Sequence, residues 1–186
     1  QLLSNPEKMT TLVIILGVLA LLAVIGRSSI ERLTIPKTIP SNQTFPVGKH
    51  RVEFKSKGKT IVGNLFIPED FIEGEERPAM VVAPPATSLK EHAAGFYAGK
   101  FVKNGYITLS IDTRGIGESE GISCDVDPYH HANDVASAVT FLYSLKQVDS
   151  DKLFNVGVCA GGVASPYETF HDKRIKAQGL ITPSIA

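Results

Sequence analysis

The sequence predicts an α/β domain, a doubly wound and mostly parallel sheet, preceded by an N-terminal transmembrane helix. Three observations predict it. From residue 79 onward, short apolar runs of strand composition alternate with segments whose apolar residues recur at helical spacing. The turn Gly157-Val158-Cys159-Ala160-Gly161-Gly162 follows one of those runs and leads into helix-compatible sequence. Thr10 to Gly26 carries no charged residue at all.

In chain order, residues 1–9 are a flank and 10–26 the transmembrane helix or signal anchor. Residues 27–48 are a linker and 49–186 the folded domain. As a helix, 10–26 would span about 25 Å, close to the ~30 Å hydrocarbon core of a bilayer. It has no periodic polar face, which disfavours a helix lying on a membrane surface. A cleaved signal peptide and a buried core helix are the competing readings. Lys8 precedes the segment and Arg27, Arg32 and Lys37 follow it. That bias favours a cytoplasmic C-terminal side, but residues upstream of Gln1 bear on it, so the side stays open. Gln1 in place of methionine is read as a sign that sequence precedes it, with Met9 as an alternative start. Pro36, Pro40 and Pro46 mark the linker as a tether. The triplet Asn42-Gln43-Thr44 would be a glycosylation site only in a lumenal setting.

His50 to Ser56 alternates as a strand, Lys57-Gly58-Lys59 turns, and Thr60 to Ile67 returns as the second strand of a hairpin. Phe71 to Pro78 reads as a charged loop. Ala79 to Ala83 is short and wholly apolar, as a strand covered on both faces must be. Lys90 to Asn104 has helical apolar spacing and stops at Gly105. Tyr106 to Ile111 is a strand, Pro128 to Lys146 a helix, Leu153 to Val158 a strand, Gly162 to Phe170 a helix and Ile175 to Thr182 a last strand. In such a sheet the chemistry lies at the carboxyl ends of the strands. Three loops meet that description: Pro84 to Leu89, Asp112 to Gly121 and the Cys159 turn.

Composition narrows the function. The 186 residues carry 19 basic and 19 acidic side chains, so no electrostatic footprint for nucleic acid exists. A 43% hydrophobic content is enough for a sizeable core. Two cysteines, Cys124 and Cys159, cannot build a disulfide scaffold, and no cluster has metal-ligand spacing. Neither a metal nor a cofactor is expected.

Four stretches in order carry a family resemblance: Pro84-Pro85 with Lys90-Glu91, Asp112-Thr-Arg-Gly-Ile-Gly-Glu-Ser119, Asp134, and Gly-Val-Cys-Ala-Gly-Gly at 157–162. Residues 50 to 186 resemble the first two-thirds of an α/β-hydrolase domain. More narrowly, they are similar to the dienelactone-hydrolase-like and related bacterial branch. The resemblance implies that Cys159 occupies the nucleophile position of a nucleophile elbow, where other members carry serine. Gly157, Gly161 and Gly162 would make that turn possible. It further implies an oxyanion hole made by the N–H of Ala160 and one from the loop after the third strand, at Ala86 or Thr87. Pro85 has no N–H to give. A His-Gly or His-Pro pair often opens this loop in the family; here Pro84 stands in that place.

A thiolate is the attacking species of a cysteine, and a helix N-terminus favours it. The ordinary alternative, a buried inert cysteine, is disfavoured by the flanking glycines. Asp112 to Ser119 reads as structural, with Arg114 paired to an acidic neighbour, and Lys90-Glu91 as capping or solvating a helix end. No general base is legible. Glu168, His171 and Asp172 follow Cys159 on or beside the helix that leads away from it; His130 and His131 precede it and start a helix. The expectation is therefore an acid and a histidine in sequence beyond Ala186. Two functions compete: a single-pass membrane-anchored hydrolase of an ester, lactone or thioester in a small acyl substrate, and a non-catalytic scaffold on the same fold. An acyltransferase or peptidase stays open as a third class.

Overall fold

The structure, a computed structural model, describes residues 43–183. The expected membrane-spanning segment, residues 10–26, lies outside them. Among the described residues no helix is long and apolar enough to cross a membrane.

Among the described residues six strands and three helices follow one another: β1 (Gly48–Ser56), β2 (Lys59–Ile67), β3 (Arg77–Ala83), α1 (Ala93–Val102), β4 (Ile107–Ile111), α2 (Pro128–Ser144), β5 (Val148–Val158), α3 (Gly161–His171) and β6 (Ile175–Ile181). The sheet order is β1-β2-β4-β3-β5-β6. β1 and β2 form an antiparallel hairpin, and β2 joins β4 antiparallel. β4, β3, β5 and β6 run parallel. The hairpin turns on Lys57 and Gly58, both at positive φ.

Period-two alternation sorts each central strand between two layers. Ala79, Val81 and Ala83 of β3, with Ile107, Leu109 and Ile111 of β4, face Val135, Ala138, Val139 and Leu142 of α2. Met80 and Val82 face the opposite layer, with Ala94 and Ala98 of α1. Thr108 also turns to α1, where its hydroxyl donates to the Ala98 carbonyl at 3.2 Å. Helices thus cover both faces, as the sequence predicts. α2 starts where Asp127 accepts from the N–H groups of Tyr129 and His130, with Pro128 at the first helical position.

Most boundaries match to within a few residues. Two differ for physical reasons. α1 starts at Ala93, not Lys90, because Lys90 is drawn away into a buried ion pair. β5 begins at Val148, five residues early; Asp149 to Lys152 extend it with polar residues that carry no burial signal.

At the amino edge of the sheet, the buried Gln147 side chain clamps the entering chain. Its Nε2 donates to the Phe45 carbonyl at 3.2 Å, and its Oε1 accepts from the Phe45 N–H at 2.7 Å. A groove of about 660 Å³ lies there, lined by Phe45, Phe71, Glu73, Lys146 and Gln147 among others. None of the elbow residues lines it.

Candidate active site

Cys159 and Ala160 join β5 to α3, with Cys159 at φ +53°. A left-handed conformation in a non-glycine residue costs about 1–3 kcal/mol and persists only where its surroundings enforce it. The enforcement is visible. The Cys159 N–H donates to the Ile181 carbonyl of β6 at 3.0 Å, and the Cys159 carbonyl accepts from the Gly162 N–H at 2.9 Å. The side chain is half-buried, packed against the α1-side cluster that includes Val156 and Val158.

Each elbow glycine answers to a close approach. A Cβ on Gly157 would lie 2.6 Å from Ser165 Oγ, so β5 and α3 touch there. On Gly161 it would lie 2.5 Å from the Ala83 carbonyl oxygen and 2.7 Å from that of Pro84. The start of α3 therefore rests directly on the loop after β3. On Gly162 it would meet Pro183 at 3.0 Å.

The expected donors sit at this junction. Ala160 is the N-cap of α3, and its N–H has no partner among the described residues. Ala86 and Thr87 are the central residues of a turn closed by Ser88 N–H to the Pro85 carbonyl at 3.2 Å. Their own N–H groups are likewise unclaimed among the described residues.

The neighbouring loops are fixed by charge. Asp112, wholly buried at the end of β4, accepts from Lys90 N–H and Lys90 Nζ, each at 2.7 Å. Lys90 Nζ also reaches Glu118 at 2.7 Å and Glu91 at 3.2 Å. Burial alone would lower the lysine pKa, but hydrogen bonds to Asp112 and Glu118 outweigh it and raise it. The expectation of a solvated Lys90 is thus corrected: it is 3% exposed and ties the 84–92 loop to the 112–121 loop. Gly117 packs on the Asp112 carboxylate, 2.8 Å from Oδ1 by a built Cβ. Arg114 pairs with an acidic neighbour, Asp134, as expected: Nη2 donates to Oδ1 at 2.7 Å and the Arg114 N–H to Oδ2 at 2.8 Å.

The histidines are engaged elsewhere. His50 contacts the Pro46 carbonyl, His130 the Asp125 carboxylate, His131 the Asp125 carbonyl and His171 the Tyr167 carbonyl. His92 precedes α1. Among the described residues no histidine hydrogen-bonds Cys159, and no group of His, Cys, Asp or Glu is arranged to hold a metal ion. Glu168 lies wholly buried beneath α3, about two turns from the elbow.

Residues 57–178 match the X-Pro dipeptidyl-peptidase (S15 family) model. The chain belongs to that family. The family sits within the α/β hydrolases, and the similar proteins agree. PA2218 of Pseudomonas aeruginosa is 32% identical over 142 residues, 73% of this chain and 38% of its own. Its crystal structure matches with a TM-score of 0.70 at 28% identity, covering 82% of this chain and 49% of that one. Thiohydrolase aneE of Aspergillus aculeatus is 32% identical over 72% of this chain and 41% of its own. DcsB, solved in complex with its substrate analogue, matches at 31% identity and a TM-score of 0.67, covering 73% of this chain and 46% of that one. A dienelactone hydrolase-like promiscuous phosphotriesterase, P91, shares the fold at 20% identity and a TM-score of 0.62. The chain spans less than half the length of these curated relatives.

Proposed function

We propose that the intact S15-family protein hydrolyses ester-type bonds, an ester, lactone or thioester, through a Cys159 nucleophile, and that residues 10–26 tether it to a membrane. One observation carries the catalytic reading: a non-glycine residue held at φ +53° where β5 becomes α3. That geometry lifts a nucleophile out of the sheet edge and sets the next N–H beside it.

In this mechanism the Cys159 thiolate attacks the substrate carbonyl carbon. The oxyanion that forms rests against the Ala160 N–H and an N–H of the Ala86-Thr87 turn. The carbonyl re-forms as the alcohol or thiol leaves with a proton, giving an acyl-cysteine. Water then attacks that thioester, releasing the acid and restoring the thiolate. We assign the proton transfers to an acid and a histidine other than those that the described residues hold elsewhere. The thiohydrolase name of one relative, and the substrate analogue bound by a solved neighbour, support a small acyl substrate. The uncharged run Thr10 to Gly26 supports the tether.

The test is alkylation by iodoacetamide, read by peptide mass spectrometry. Cys159 is expected to react at least tenfold faster than the exposed Cys124, and C159A to abolish ester turnover by the intact protein. Equal labelling of the two cysteines would favour a non-catalytic scaffold. Release of the full-length protein from membranes by carbonate would count against the tether.

A further inference from the structure

Buried polar atoms in folded proteins nearly always find partners, so the ones that do not call for a physical cause. Eight buried side-chain atoms lack one among the described residues. Five of them belong to α3 or to the two strands it follows and precedes: Ser165 Oγ, Glu168 Oε1 and Thr169 Oγ1 on α3, Asn155 Oδ1 on β5 and Gln178 Nε2 on β6. Asn155 and Gln178 are register partners on β5 and β6 and so point to the same face. Two of the five already belong to one pair, because Asn155 Nδ2 donates to Glu168 Oε2 at 3.1 Å. The unpartnered atoms of that pair are the other carboxyl oxygen, Oε1, and the other amide atom, Oδ1. Both are acceptors if Glu168 is ionised. A proton on Oε1 would give one of these two acceptors a donor to offer the other.

We propose that Glu168 is a neutral carboxylic acid in the native fold, joined to Asn155 in a two-hydrogen-bond acid–amide ring that pins α3 to β5. In this ring Glu168 Oε1–H donates to Asn155 Oδ1 while Asn155 Nδ2–H donates to Glu168 Oε2. The ring closes about two turns past the elbow. Glu168 is then a positioning residue for the helix that begins at Ala160.

The charges around it agree. Among the described residues the charges that act on Glu168 are those of Asp172 and Arg174. Asp172, at the C-cap of α3, is 1% exposed. Arg174, in the turn before β6, is given over to Asp172, with Nε donating to Oδ1 at 2.9 Å and Nη2 to Oδ2 at 2.5 Å. Its Nη2 also donates to Thr140 on α2, and its guanidinium lies over Tyr143. β5 and β6 contribute the amides Asn155 and Gln178. One cation thus matches one carboxylate, and the second carboxyl is left to be neutral. Burial, reinforced by the Asp172 charge, pushes the Glu168 pKa up to about 8 against the opposing Asn155 bond and Arg174.

The sign of the pH dependence follows from linkage. Between about pH 4.5 and 8 the unfolded chain has lost the Glu168 proton and the native chain keeps it. Stability therefore falls as pH rises through that window, and levels off above it. The test compares wild type with E168Q in the full chain, whose glutamine amide keeps the two-bond ring at every pH. The folding constant of wild type relative to E168Q is expected to drop by up to about tenfold per pH unit across the window. A carboxylic-acid carbonyl stretch, shifted by ¹³C-glutamate, is expected in the wild-type infrared spectrum at pH 7 and absent from E168Q. Parallel stability profiles, or no such band at pH 7, would overturn the proposal. The band in labelled wild type decides the matter alone if E168Q does not fold. Neither readout involves Cys159, so the ring and the hydrolase reading stand or fall separately.

Discussion

Two kinds of loop meet at the carboxyl edge of the sheet, and they are held by opposite physics. The Cys159 turn is held by backbone contact without any charge: glycines let β5, α3 and the loop after β3 touch. The adjacent loops are held by buried charge, Lys90 on Asp112 and Arg114 on Asp134. A turn held by contact fails when an atom is added. A loop held by charge fails when one is removed, because the partner is left buried and unpaired.

The largest effect should come from breaking the charged side. Lys90→Met strands the wholly buried Asp112, and a loss of about 3–5 kcal/mol is expected in denaturant unfolding. Adding Asp112→Asn should recover part of it; no recovery would mean that Lys90 acts through its stem rather than its charge. Next comes Gly161→Ala, the least added bulk that can test the contact side. Its methyl would meet two main-chain carbonyls that cannot rotate away, so a loss toward the upper end of about 1–3 kcal/mol is expected. A neutral result would show that α3 can lift from the Pro84 loop without cost. Smallest is the strain at the elbow itself. Cys159→Gly should be more stable than Cys159→Ala by about 1 kcal/mol, since only glycine accepts φ +53° freely. Equal melting temperatures for the two variants would mean that the turn relaxes once the thiol is gone.

The same contrast explains what the sequence disclosed. The elbow was legible because its requirements are local: an apolar strand, a nucleophile-type residue and three glycines within six positions. The succession of strands and helices along the chain followed from equally local alternation, whereas the strand order did not. The Lys90 clamp was not legible, since its partners lie 22 and 28 residues away and a lysine at a helix end reads as capping or solvating it. The pairing of Arg114 was foreseen only as a type; that Asp134 supplies it depends on how α2 crosses β4. Glu168 was legible only as a residue of the helix that leads away from Cys159; its burial against Asn155 depends on how α3 packs on β5. The extension of β5 through Asp149 to Lys152 escaped notice because these polar residues fall in the irregularity between Val148, opposite Arg77, and Leu153, opposite Ala79.

The Gln147 clamp has a mechanical meaning. It fastens the entering chain to the foot of β5, and the tip of that strand carries Cys159. Beside β3 the strand runs from Val148, opposite Arg77, to Gly157, opposite Ala83, a strut about 20 Å long. Any load arriving through residue 43 is therefore met at the base of the strut, one full strand length from the strained thiol.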